Sequence, residues 1–198
     1  MLEFRLGGVR CRLSLLFPAL LTALLLWQPE GLAVSCLLAA LLHEGGHLLA
    51  MLFLRVPPED CVLGAFGARI RLGHRLPSYR SNLIISLAGP FTNFLCAGVL
   101  YAVGAEQSAL VHLVLAVFNL LPASALDGGE ILRCGLCLLG FESLSGFALR
   151  LTSALTLLPL AAVSLWLFLR GEGNGTLLIV SGYLAVLLFF SDKLQKNT

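Results

Sequence analysis

The run LLAALLHEGGHLLAMLF, residues 37–53, is apolar except for its central five residues, His43-Glu44-Gly45-Gly46-His47. Residues four apart lie on one face of a helix, so both imidazoles can bind a single zinc ion. The glutamate between them is placed to act as general base on a water that the metal activates. Ionisable groups are unfavourable inside a bilayer, and three within five residues indicate a buried metal and hydrolytic chemistry at membrane depth.

The composition around this run is that of a membrane protein. Hydrophobic residues make up 58% of the 198 and charged residues 12%, and the mean hydropathy is +0.92, whereas a soluble domain has about 25% charged residues. The sequence predicts an all-α polytopic membrane protein with about six transmembrane helices. The predicted spans are residues 13–28, 32–54, 82–104, 108–126, 147–169 and 176–191, and the apolar piece 128–141 is too short to span alone.

The arginine and lysine residues predict the orientation. An even number of spans puts both termini on one side, and of the 13 basic residues only Arg170 then lies on the other. The positive-inside rule therefore predicts an integral membrane protein with both termini in the cytoplasm. Because the basic residues mark topology, the net charge of +2 gives no reason to expect a nucleic-acid partner.

The longest polar stretch is residues 55–81, between the second and third predicted spans. Its part 62–72 ends in Arg69-Ile70-Arg71-Leu72, and this alternation predicts one or two short β-strands at the cytoplasmic face. A surface loop whose arginines bind lipid headgroups is an equal alternative. We expect one membrane domain over 1–198, with the first 28 residues retained as a span because no small-residue cleavage pattern follows them.

A third metal ligand is needed, because zinc hydrolases usually have three protein ligands and leave one position to water. The candidate is Asp127, which is the only acidic residue between Glu106 and Glu130. The second and fourth predicted spans run in the same direction, so the two histidines and Asp127 are all expected toward the inner half of the membrane.

The residues before and after Asp127 also fit a site. Pro122 interrupts a helix, and Gly128-Gly129 permit backbone conformations that are closed to other residues. Asn119 could form a hydrogen bond with a substrate backbone or an oxyanion. In the first motif, Gly45-Gly46 indicate either a need for space near the metal or close helix packing.

Three motifs in this order resemble the site-2 protease family of intramembrane zinc metalloproteases. They are HExxH at 43–47, AGPFTN at 88–93 and NLLPASALDGG at 119–129. The compact six-span form is most similar to the branch that includes the stage IV sporulation protease, which processes a membrane-held pro-sigma factor. The resemblance implies one zinc ion per chain, with His43, His47 and Asp127 as ligands and Glu44 as the catalytic base.

The resemblance also implies roles for the remaining motif residues. Asn119 and Gly128 would bind substrate or an oxyanion, and the structural motif residues would be Gly89, Pro90, Asn93 and Pro122. Segment 62–72 would accept an unwound substrate by edge pairing. The implied activity is cleavage of a transmembrane or membrane-associated protein in regulated intramembrane proteolysis, with sigma-factor release during sporulation as one possible outcome. No PDZ-like or nucleotide-sensing domain is expected, so regulation would come from an inhibitory membrane partner or from substrate supply.

Other functions fit part of this pattern. A metal transporter would usually have several ligand clusters along a path, and this chain has one. A scaffold that binds transmembrane helices without catalysis typically lacks a ligand or the base, and here all four are present. An anti-sigma-factor or signal-peptide-remnant protease is a further alternative. We interpret His74 and His112 as bystanders and Asn93 as structural, and Cys134 with Cys137 as small buried hydrophobes rather than a redox pair.

Overall fold

The structure is a computed structural model that describes residues 2–6, 9–13, 31–56, 58–64, 67–72, 78–124 and 126–170. These residues form four strands and five helices. The elements are β1 Leu2–Leu6, β2 Val9–Leu13, α1 Leu32–Phe53, β3 Pro58–Gly64, β4 Gly67–Leu72, α2 Tyr79–Ala102, α3 Glu106–Asn119, α4 Asp127–Leu138 and α5 Glu142–Leu169. The chain divides after Phe118 into two compact units.

The strands of the first unit form one sheet in the order β1-β2-β3-β4. β1 and β2 pair antiparallel, β2 and β3 pair parallel, and β3 and β4 pair antiparallel. The parallel pair needs a crossover connection, and α1 lies within it. β3 and β4 occupy the polar stretch between the second and third predicted spans, while β1 and β2 were not expected from the sequence. A position at the cytoplasmic face stays a prediction.

Three of the described helices are long and apolar enough to cross a membrane: α1 with 22 residues, α2 with 24 and α5 with 28. They correspond to the predicted spans 32–54, 82–104 and 147–169. The predicted spans 13–28 and 176–191 lie outside the described residues, apart from Leu13 at the end of β2. A total of six spans therefore stays a prediction.

The exposed and buried residues of these helices have the polarity that a bilayer requires. Large apolar side chains are on the outside, as with Leu52 at 75% exposure and Phe91 at 61%. Polar side chains are on the inside, and His43, His47 and Asn93 are all buried. Because lipid replaces water around such helices, this arrangement identifies an integral membrane protein.

The fourth predicted span is shorter than expected. α3 ends at Asn119 after 14 residues, about 21 Å of helix against a hydrocarbon core of about 30 Å. Pro122 explains the early end, because a proline lacks an N–H donor and commonly lies just beyond a helix terminus. The predicted span 108–126 was too long, since α3 ends at Asn119 and Asp127 is the first residue of a separate helix, α4.

Close contacts hold the helices of the first unit together. α1 packs mainly against α2, and a Cβ at Gly46 would lie 2.7 Å from the carbonyl oxygen of Ala88 and against the side chain of Thr92. α1 and α3 are joined by a hydrogen bond of 2.9 Å between the hydroxyls of Ser35 and Ser108. Hydroxyl pairs and small residues are typical of helix contacts inside membranes.

In the second unit α4 packs against α5. The segment that leads into α4 is fixed to α5 by the backbone N–H of Ser124, which donates to the hydroxyl of Ser153 at 2.9 Å. Ser153 is buried and its hydroxyl also donates to the carbonyl of Leu149. The segment before α4 is therefore held by specific polar contacts.

Candidate metal centre

The two histidines of the first motif converge on one point. His43 is 5% exposed and His47 is 7% exposed, one helical turn apart on α1. Their Nε2 atoms lie 3.2 Å apart, and the rings meet edge to face at 85°. Two nitrogens of a tetrahedral zinc site, each about 2.0–2.1 Å from the metal, are separated by about 3.3 Å. The spacing of the two Nε2 atoms is therefore that of two zinc ligands.

A backbone carbonyl fixes the orientation of His47. The Nδ1 atom of His47 lies 2.7 Å from the carbonyl oxygen of Ile85 on α2. A carbonyl oxygen only accepts, so Nδ1 carries the proton and donates, and the lone pair of the neutral ring is on Nε2. Metal-binding histidines usually have such a partner on the second nitrogen, because it sets both the tautomer and the ring direction.

Gly89 of α2 makes room for both imidazoles. A Cβ at this position would overlap Nε2 and Cε1 of His47 and would lie 2.9 Å from Cε1 of His43. Gly89 and its neighbour Pro90 are both buried. The AGP motif therefore supplies a flat backbone surface against which the histidine pair packs.

Gly45 and Gly46 have different surroundings, and this separates the two explanations left open by the sequence. Close helix packing accounts for Gly46, whose missing side chain lets α1 approach Ala88 and Thr92 of α2. Gly45 is exposed, and a Cβ there would meet no atom of the described residues within 4 Å. Space beside the histidines comes from Gly89 on the facing helix. Glu44, next to Gly45, is half-buried.

Asn93 and His112 extend the buried polar group. The Nδ2 atom of Asn93 lies 3.2 Å from Nδ1 of His43, and its Oδ1 atom lies 3.1 Å from Nδ1 of His112 on α3. Asn93 is fully buried and His112 is 3% exposed. His112, interpreted from the sequence as a bystander, is therefore part of a buried hydrogen-bond network. One signal was available in the sequence: an ionisable residue inside a predicted span usually has a polar partner.

Asp127 and the two glycines after it belong to the second unit. Asp127 is half-buried at the first position of α4, and Gly128 and Gly129 are buried. A Cβ at Gly128 would overlap the backbone carbonyls of Leu120 and Leu121. The glycines are therefore required because the preceding segment packs on α4. The predicted reason, unusual backbone angles, was wrong, since the positive-φ glycines of the described residues are Gly31, Gly104 and Gly140.

The remaining residues of the third motif flank this contact. Asn119 is the last residue of α3 and is half-buried, and Pro122 is half-buried in the bend that follows. The structure places both in the segment that leads to Asp127. Their proposed contacts with a substrate stay predictions.

The cysteine pair on α4 does not have the properties of a reactive thiol site. Cys134 is fully buried, and its Sγ atom donates to Oε1 of Glu130 at 3.4 Å. Burial, and then the carboxylate of Glu130, raise the pKa of the Cys134 thiol to about 12. A reactive cysteine needs a lowered pKa, so this environment favours the inert interpretation.

The chain is similar to known proteins in sequence over part of its length and in structure over almost all of it. No protein-family model matches the chain. An alignment 118 positions long, which covers 52% of the chain, is 30% identical to Rip3, a protein assigned as a zinc metalloprotease, from the Erdman and H37Rv strains of Mycobacterium tuberculosis. The match covers 30% of the length of Rip3, so the chain spans less than a third of these relatives.

A solved structure is similar over almost the whole chain. It is the site-2 protease from Methanocaldococcus jannaschii, which matches with a TM-score of 0.63 and 23% sequence identity. The match covers 92% of this chain and 91% of that one. At this level of identity the likeness establishes the architecture, and the chain has the fold of a site-2 protease.

Proposed function

We propose that the chain is a zinc-dependent intramembrane endopeptidase of the site-2 protease family. The observation that carries the proposal is the histidine pair of α1: the Nε2 atoms of His43 and His47 lie 3.2 Å apart, the spacing of two zinc ligands. The family resemblance adds Asp127 as the third ligand. Two imidazole nitrogens and one carboxylate oxygen are a donor set of catalytic zinc sites, which leave the fourth position open. The fold of a site-2 protease and the similarity to Rip3 support the same class.

The surroundings of the histidines fit this metal. Their Nε2 atoms already have the spacing of zinc ligands, and the Ile85 carbonyl holds His47 in the metal-binding tautomer. Gly89 leaves no side chain between the imidazoles and α2. We therefore assign His43 and His47 as ligands, and Asp127 as the third from the family resemblance.

Glu44 is the proposed catalytic base. When bound, a zinc ion polarises the scissile carbonyl and lowers the pKa of the attacking water. Glu44 follows His43 directly on α1 and is half-buried. It takes the proton from the attacking water and passes it to the leaving amine. Asn119 and the backbone N–H of Gly128 are proposed to bind the substrate backbone or the oxyanion.

The proposed substrate is a transmembrane or membrane-associated protein. A helical peptide bond is shielded by its own hydrogen bonds, so the substrate must unwind before it is attacked. β4 is the last strand in the described sheet order, and an extended substrate segment can pair with its open edge. Segment 62–72, which contains β4, is therefore the proposed docking strand.

The location and the product follow from the charge pattern and the family resemblance. We place the protein in the bacterial cytoplasmic membrane with both termini cytoplasmic, so cleavage frees a cytoplasmic fragment. A membrane-held pro-sigma factor is the first candidate substrate, and anti-sigma factors and remnant signal peptides are the alternatives. An inhibitory membrane protein is the proposed regulator.

Zinc content separates this proposal from its main rival, a scaffold that binds transmembrane helices without catalysis. We expect about one zinc ion per chain in the detergent-purified wild type and in Glu44→Gln, and less in His43→Ala and Asp127→Ala. Glu44→Gln should cleave no substrate even though it holds zinc, because it lacks the base. Wild-type activity in Glu44→Gln contradicts the mechanism. Wild-type protein that purifies without zinc and cannot be reloaded favours the scaffold.

A further inference from the structure

A chain of hydrogen bonds crosses the first unit from α3 to α1. His112 Nδ1 lies 3.1 Å from Asn93 Oδ1, Asn93 Nδ2 lies 3.2 Å from His43 Nδ1, and His43 Nε2 lies 3.2 Å from His47 Nε2. The last hydrogen bond of the series joins His47 Nδ1 to the Ile85 carbonyl oxygen. The four side chains are between 0% and 7% exposed.

The donor and acceptor atoms set the direction of this series of hydrogen bonds. An amide nitrogen donates, an amide or carbonyl oxygen accepts, and a neutral imidazole has one donor and one acceptor nitrogen. His112 Nδ1–H therefore donates to Asn93 Oδ1, and Asn93 Nδ2–H donates to His43 Nδ1. His43 then carries its proton on Nε2 and donates it to His47 Nε2.

This direction is incompatible with a metal on His43. A metal needs the lone pair of Nε2, and in this arrangement Nε2 carries the proton. The lone pair moves to Nε2 if the Asn93 amide turns over, so that Oδ1 accepts from His43 Nδ1–H. Nδ2 of Asn93 then faces His112 and donates to its Nδ1. His43 and His112 each keep one proton, on Nδ1 and Nε2 respectively, so the change needs no net proton.

We propose that Asn93 and His112 are positioning residues for the metal centre, and that loading the metal reverses this hydrogen-bond chain. His112 can serve both states because Nδ1 of an imidazole donates in one tautomer and accepts in the other. It lies on the wall of a cavity of about 370 Å³, so its ring is not enclosed on every side. The inference rests on the proposed zinc site.

The test is the zinc affinity of the full chain in detergent, measured by competition with a chelator, together with the Co²⁺ absorption spectrum as a report on ligand geometry. Loss of an outer hydrogen-bond partner typically weakens metal binding about 10–100-fold. We expect at least a tenfold loss in Asn93→Leu and His112→Leu. His112→Asn places an amide near the position of Nδ1 that can donate or accept, so its affinity should lie within about threefold of wild type.

Asn93→Asp gives a second, opposite result. A carboxylate only accepts, so it holds His43 in the tautomer with Nδ1 protonated, and we expect zinc to bind at least as tightly as in wild type. A residue that only fills space would not distinguish Asp from Leu in this way. Ser108→Ala is the matched control, because Ser108 lines the same cavity one turn from His112 but contacts Ser35 instead. Its affinity and Co²⁺ spectrum should equal those of wild type.

The outcomes separate this inference from the proposed function. Wild-type affinity in both His112→Leu and Asn93→Leu overturns the positioning role alone. An equal loss in His112→Asn and His112→Leu also overturns it, since packing then accounts for the effect. Wild-type protein that takes up no zinc overturns the proposed function and this inference with it.

Discussion

Gly89 on α2 and Gly128 on α4 both stand where a side chain would collide, but they face different kinds of atoms. A Cβ at Gly89 would overlap the imidazole rings of the two histidines. A Cβ at Gly128 would overlap the backbone carbonyls of Leu120 and Leu121. The first glycine makes room for functional side chains, and the second makes room for the main chain itself.

This difference predicts different consequences of substitution. A side chain can turn or shift, so the cost of a methyl group at Gly89 falls mainly on the placement of the imidazoles. A backbone segment between a helix end and a helix start has few ways to move, so the cost at Gly128 falls on folding. A substitution at Gly89 should therefore weaken mainly metal binding, and a substitution at Gly128 should lower mainly the stability of the fold.

The largest effect is expected from Gly128→Ala. The segment 120–124 would have to leave the first turn of α4, and we expect a loss of at least about 3 kcal/mol in the free energy of unfolding. Thermal unfolding in detergent and the amount of protein that accumulates in membranes measure this loss. Gly135→Ala is the matched control on the same helix, since a Cβ there meets no atom within 4 Å in the part of the chain that the structure describes. A Gly128→Ala variant as stable as Gly135→Ala contradicts the backbone contact.

Gly89→Ala should weaken metal binding more than it weakens the fold. The added methyl would displace the imidazoles of His47 and His43 from their positions as metal ligands. We expect about a 10–100-fold loss of zinc affinity, as for other changes around a metal site. The melting temperature of the metal-free protein should change little by comparison. Gly98→Ala is the control on α2, because Gly98 is exposed with open space around it. If Gly89→Ala and Gly98→Ala bind zinc with equal affinity, Gly89 is not needed to make room for the imidazoles, and its contrast with Gly128 is lost.

The sequence predicted the parts of this site that depend on spacing along a helix. The positions of His43 and His47, four apart in an apolar run, required one face of one helix, and the structure has that arrangement in α1. Pro122 marked an interruption in the fourth predicted span, although the helix ends earlier than predicted. Length and hydropathy also identified three long apolar helices.

The parts that the sequence could not predict depend on contacts between helices. Nothing in the order of residues says that Gly89 faces the imidazoles or that Gly46 faces Ala88. The sequence also does not show that His112 pairs with Asn93, which lies 19 residues away on another helix. Pairing across helices depends on how each helix is rotated, and periodicity within one segment does not contain that information.

The smallest effect is expected from Gly45→Ala, and it tests the comparison within a single helix. Gly45 is exposed, and among the described residues a Cβ there has no neighbour within 4 Å. Alanine therefore adds no collision with them and gains up to about 1 kcal/mol of helix propensity. Gly46→Ala, one residue further on, should instead lower the melting temperature, because its Cβ would lie 2.7 Å from a carbonyl oxygen of α2. Wild-type stability and zinc affinity are therefore expected in Gly45→Ala. If that variant nevertheless loses cleavage of a membrane substrate, the space beside Glu44 is occupied by the substrate during the reaction. Glycine would then be required at position 45 to make room for the substrate, rather than for side chains or main chain of the protein itself.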